Sequence, residues 1–194
     1  MEHEHPSRRP RPAPWVRGSP GFSPQRLRDA RQQVGLTPAD LAHAAGATRS
    51  DIAKYEAGQA SPQPPHLAAL ARALSVPAAS LLELPPGGPG LAHLRAAAGL
   101  TQADLAGRTG IRLKRYELAE LGMRPLSAAD IARLAAATGT GARQVQDACE
   151  SDLYLGCDSL MARKPHALKA ACLPGREWLL PQPHAPTHRR YAFE

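Results

Sequence analysis

The sequence predicts an all-α chain built from two tandem five-helix domains with flexible tails. Three observations point there. "GLTPADLA" at residues 35–42 returns as "GLTQADLA" at residues 99–106, 64 positions later and with one change. The apolar content is mostly Ala and Leu, with only 4% aromatic residues, which favours helices with small cores over sheets. The stretch "ELPPGGPG" at 83–90 cannot continue a helix and separates the two copies.

Sliding the chain by 64 positions without a gap brings Leu27 onto Leu91, Arg31 onto Arg95, Gly46 onto Gly110, Glu56 onto Glu120 and Gly58 onto Gly122. Two unrelated Ala-rich stretches would not keep their glycines in register, so the segments are copies of one small domain. The predicted organisation is a disordered basic tail over 1–22, a first domain over 23–84, a Pro/Gly linker over 85–90, a divergent second domain over 91–148 and a partly disordered C-terminal extension over 149–194.

Each element of the first copy has a local reason. Ser23-Pro24 supplies an N-cap and an N1 proline, Leu27, Ala30 and Val34 line one helical face, and Gly35 takes the left-handed cap. Thr37 and Asp40 open a second helix with a capping-box pattern; it presents Leu41, Ala42 and Ala45 and stops at Gly46. Thr48 and Asp51 repeat the pattern for a third helix, with Ile52 and Tyr55 inward and Gly58 closing it. A fourth helix over about 64–74 carries Leu67, Leu70, Ala71 and Leu74, and a fifth over about 77–83 carries Leu81 and Leu82.

Helices two and three are each about two turns long and are joined by "GAT", where a small glycine permits a steep crossing, which is helix-turn-helix geometry. The second of such a pair projects and fits the major groove of B-form DNA. Its outward residues are Arg49, Ser50, Ala53 and Lys54. Arg49 stands at the first turn, where a guanidinium can donate two hydrogen bonds to a guanine; Lys54 is placed for a phosphate. The N–H groups at the start of helix two, near Thr37, and the Thr48 cap complete the candidate DNA-binding set in this copy.

The whole first segment, with "GLT..DLA", "G.TRS.I..YE.G" and "P..L..LA.AL.V", resembles the lambda-repressor-like helix-turn-helix domain of the Cro/CI (XRE) type. The second segment keeps "GLTQADLA", "E.G" and "LSAADIARLAAATGT", so the resemblance spans residues 25–148. It implies a domain that binds operator DNA through its third helix. The family usually carries Gln after the Thr that opens helix two, where it helps grip a phosphate. The first copy has Pro38 there and the second keeps Gln102. The second copy opens its third helix with "GIRLKRYELAE": Arg112 replaces the capping Thr and Leu113 stands where Arg49 stands. Arg112, Lys114 and Arg115 remain basic, so the second copy is expected either to add phosphate affinity or to serve as a partner surface.

A net charge of +7 and a pI near 9.8 suit a polyanionic partner. Three cysteines, an odd number, argue against a disulfide framework and fit a reducing compartment. The N-terminal stretch has no apolar core of a secretion signal, and no apolar run reaches the ~18 residues of a membrane span. Cys149, Cys157, Cys172 and His166 match no compact zinc spacing, His3, His5, His184 and His188 lie in the tails, and no nucleophile–base pairing stands out. The expectation is therefore a cytoplasmic bacterial regulator that is not an enzyme and takes no cofactor and no metal. Its partner is double-stranded DNA. A homodimer, and a protein partner through the second domain or the C-terminal extension, stay open, as does a helix-turn-helix scaffold (a transcriptional adaptor or antitoxin-like partner) with weak DNA binding.

Overall fold

Most helix starts in this protein are fixed by residues at most three positions away. Ser23, Thr37, Thr48, Thr101 and Ser127 each accept a hydrogen bond from the backbone N–H three residues on. In the last four, an Asp at that third position reaches back to the cap, closing a capping box. The computed structural model describes residues 18–163, and side chains through residue 153. The expectations for residues 1–17 and 164–194, including His3, His5, His166, Cys172, His184 and His188, lie outside the described residues.

Nine α-helices follow one another among the described residues. They are α1 (Pro24–Gln33), α2 (Pro38–Ala45), α3 (Arg49–Glu56), α4 (Pro64–Ala73), α5 (Leu91–Ala97), α6 (Gln102–Thr109), α7 (Leu113–Glu120), α8 (Ala128–Thr138) and α9 (Ala142–Arg163). Helices α2 and α6, and α3 and α7, correspond at both ends under the 64-residue shift. The fold class is all-α with two helix-turn-helix repeats in tandem. Each repeat has its own apolar centre: Leu27, Leu41, Ile52, Leu67 and Leu70 in the first, and Leu94, Leu105, Ile111, Tyr116 and Leu134 in the second. Each fully buried Leu or Ile is worth about 1.5–3 kcal/mol.

The structure departs from the sequence expectation at five places. The fifth helix of the first repeat is a single 3-10 turn, Ala78–Leu81. Pro77 precedes it, and Leu82 turns extended to bridge Phe22, so the helix has no room to propagate. That bridge orders residues 18–22, which were expected in the unstructured tail. Ser19 is buried and donates to Pro62 O at 2.9 Å, and Phe22 meets Tyr55 edge-on at 6.2 Å between ring centres. Val34, expected inward, is 47% exposed because α1 ends one residue earlier.

The expected boundary at 148/149 falls inside α9. Val145 and Ala148 are buried in the second core, with Cys149 packed against it. Asp152 then accepts a hydrogen bond from Leu91 N at 2.8 Å, capping a helix whose own N-cap, Gly90, has no side chain to offer. Gly122 makes room for this contact: a Cβ there would lie 1.9 Å from the Asp152 carbonyl.

The Pro/Gly segment does not act as a free tether, because α4 and α5 pack on each other. Ala96 of α5 is fully buried within the first repeat's core, and a Cβ on Gly99 would come within 2.7 Å of Ala68 Cβ. Both repeats belong to one compact unit that ends at Cys157, and a second unit begins at Asp158.

Candidate nucleic-acid interface

The helix pair α2–α3 is held by one buried ion pair. Arg31 on α1 donates from Nε to Glu56 Oε1 at 2.6 Å and from a terminal nitrogen to Glu56 Oε2 at 3.0 Å. Its other terminal nitrogen donates to Leu36 O at 2.8 Å. One guanidinium thus ties the last residue of α3 to the turn that precedes α2. The Glu56 hydrogen bonds hold the Arg31 pKa above its ordinary value. Arg95 repeats the arrangement with Glu120 at 2.6 Å and with Leu100 O at 3.1 Å. These residues align between the copies in the sequence, but their spacing alone does not pair them. The signal was present, since both members recur at the same spacing; only the packing of α1 on α3 shows that they touch.

With α3 anchored by Ile52 and Glu56 on its inner side, its outer face carries Arg49, Ser50, Ala53 and Lys54, all exposed. Arg49 has no ion pair or side-chain hydrogen bond among the described residues. Thr48 caps α3, accepting from Asp51 N at 3.1 Å while the Asp51 carboxylate takes its N–H and hydroxyl. Those bonds hold the Asp51 pKa below the usual carboxylate range. Thr37 and Asp40 form the same arrangement at α2, with the same downward shift at Asp40. Pro38 brings no N–H, so the α2 start offers a phosphate few donors.

The second repeat places the corresponding groups differently. Gln102 donates to Glu120 at 2.6 Å and so joins the Arg95 pair. It lines a cleft of about 670 Å³ between the repeats, with Leu113 and Glu120 on its own side and Pro20 and Pro64 on the other. Arg112 is exposed and provides no side-chain cap for α7. Lys114 pairs with Glu117 at 3.2 Å, and Arg115 pairs with the buried Asp130 at 2.6 Å. Burial pushes the Asp130 pKa up, but bonds from Ser127 and the charges of Arg115 and Arg133 outweigh it, and the carboxyl stays below the usual range. Three of the four repeat-two candidates, Gln102, Lys114 and Arg115, are therefore engaged within the repeat, whereas Arg49 in the first repeat is not. The Tyr116 hydroxyl is buried beside the Arg95–Glu120 pair, and burial raises its pKa.

No group of His, Cys, Asp and Glu among the described residues could hold a metal ion. No described helix is long and apolar enough to cross a membrane. Comparison with curated proteins and with solved structures finds no match. A family model, described as a helix-turn-helix domain, matches twice, at residues 25–84 and 90–148. The two matches coincide with the two repeats and cover more than half of the chain, which therefore belongs to the helix-turn-helix domain family and carries two copies in tandem.

Proposed function

We propose that the protein binds double-stranded DNA sequence-specifically through α3 of the first repeat and regulates transcription as a repressor, occupying a promoter site without chemistry of its own. One observation carries this reading: the exposed Arg49 and Lys54 share the outer face of α3, with Arg49 uncommitted at its first turn. The Arg31–Glu56 pair and the Thr48 capping box hold that helix rigid, so the face is presented without reorganisation. Arg49 supplies base discrimination and Lys54 a phosphate contact; Ser50 and Ala53 share their helix face, and Thr48 and Thr37 contribute from the caps of α3 and α2. Arg112, exposed at the start of α7, stands apart from this surface on the second repeat. Gln102, Lys114 and Arg115 would have to leave their present partners to join it.

The unequal repeats favour an asymmetric site. Helix-turn-helix domains of this kind act in cytoplasmic regulators, and that is the setting proposed here. Selection of bound fragments from sheared genomic DNA at near-physiological salt, beside Arg49→Ala, tests the reading. Arg49→Ala should blur one position of the recovered motif and weaken binding by about 1–3 kcal/mol. Lys54→Ala should weaken binding to all sequences alike and reduce the salt slope by about one. A motif indifferent to Arg49→Ala would move recognition off α3. A clean inverted repeat would replace the asymmetric site with a homodimer.

A further inference from the structure

We propose that the outer face of α7 in the second repeat is a protein-docking surface for an acidic segment studded with apolar side chains. The equivalences under the 64-residue shift carry the proposal. Where the first repeat shows Arg49, Ala53, Lys54, Ala57 and Gln59, the second shows Leu113, Glu117, Leu118, Leu121 and Met123. The backbones agree: α3 and α7 match end to end, and Gly58 and Gly122 both sit at positive φ, +68° and +64°. The change is therefore one of side chains on a retained scaffold.

Three of the substituted residues stay exposed, with Leu113 beside the cleft between the repeats and Leu118 half-buried. Leu113, Leu121 and Met123 are 41%, 62% and 58% exposed. They make up three of the five large apolar residues exposed among the described residues, gathered on one helix and the turn after it. Leu113 and Leu121 are eight residues apart, which places them about 12 Å apart along the helix and within one face. Between them Glu117 holds Lys114 at 3.2 Å, so the middle of the face offers a carboxylate, not a free cation, to an approaching phosphate. That composition is wrong for a DNA-reading helix and suited to burying apolar side chains.

Charge selects the occupant. Arg112 and Arg124 bracket the apolar row at its two ends, both exposed and without an ion pair among the described residues. A second copy docked two-fold on the same face would bring these like charges into one interface. An amphipathic segment with apolar residues at helical spacing and Asp or Glu toward each end complements the row and both arginines at once.

The test uses the full chain and a variant that restores the first repeat's residues, Leu113→Arg, Leu121→Ala and Met123→Gln. A displayed library of 16-residue peptides is selected against the wild-type chain, and enriched peptides are titrated by fluorescence anisotropy. The expected result is enrichment of peptides with Asp or Glu flanking apolar residues, which bind the variant at least about tenfold more weakly and lose affinity as salt rises. No enrichment, enrichment of basic or uncharged peptides, or equal binding to wild type and variant would overturn the proposal. So would a wild-type dimer that the variant abolishes, which would make a second copy the occupant. Loss of genomic-DNA affinity in the variant would instead assign α7 to the duplex. Leu121→Ala alone repeats the titration should the triple variant melt early. Arg49 is untouched throughout, so the DNA selection reads the first repeat separately.

Discussion

Replacing Glu56 with Ala removes the carboxylate that neutralises Arg31. The guanidinium would keep its bond to Leu36 O but lose two short charge-assisted hydrogen bonds, at 2.6 and 3.0 Å. Both side chains of the pair are about nine-tenths buried, with relative exposures of 11% and 10%. Removing one member of such a pair costs about 3–5 kcal/mol, because the survivor is left charged and desolvated. Slight solvent access to Arg31 places the expectation at the lower end, about 3 kcal/mol. For the compact unit that holds both repeats, that lowers Tm by roughly 6–12 °C. Glu56→Gln keeps the shape and one acceptor and should cost roughly half as much. The double replacement Arg31→Met with Glu56→Met should recover most of the loss, since apolar residues of similar volume are often neutral in place of a buried pair. Thermal unfolding followed by circular dichroism measures all three. A loss under about 1 kcal/mol for Glu56→Ala, or a double variant worse than the single, would refute the assignment of the pair as the clamp on α3. Glu120→Ala should cost stability by a similar amount; under the proposed function, only Glu56→Ala should also cost DNA affinity.

The equivalent glycines of the two repeats should tolerate a side chain differently. Gly58→Ala should cost only the strain of a left-handed residue, about 1–2 kcal/mol, because the nearest atom to the new Cβ is Pro24 Cγ at 3.6 Å. Gly122→Ala adds a collision with the Asp152 backbone on α9, so it should cost clearly more and raise amide exchange around residues 145–152. Asp152 is pushed up to about 7, first by burial and then by the nearby Glu120, with the Leu91 N–H pulling the other way. Its native form therefore holds a proton that the unfolded chain releases near pH 4, so stability falls as pH rises from about 4 to about 7, by about 1 kcal/mol per unit. Asp152→Asn should flatten that slope in unfolding titrations; an unchanged slope would assign it to another group.

The duplication, the caps and the helix-turn-helix pair were legible in the residues because their causes are local. A Thr followed three positions later by Asp satisfies helix-end donors wherever it occurs, and a glycine after a helix takes the left-handed cap without tertiary help. Composition and the 64-residue register then gave the fold class, and the outward set Arg49, Ser50, Ala53 and Lys54 followed from helical periodicity alone. Features set by distant partners were not legible. Whether Leu82 ends a helix or pairs with Phe22 depends on a contact across 60 residues, and the Asp152 cap on α5 spans 61. The same physics separates the two sets of cations. Arg115 looks as available as Arg49 along the chain, but it lies across from a buried Asp130 that needs its charge, whereas no described carboxylate pairs with Arg49. Local chemistry decides where helices begin and end; which side chains remain free for a partner depends on what packing places opposite them.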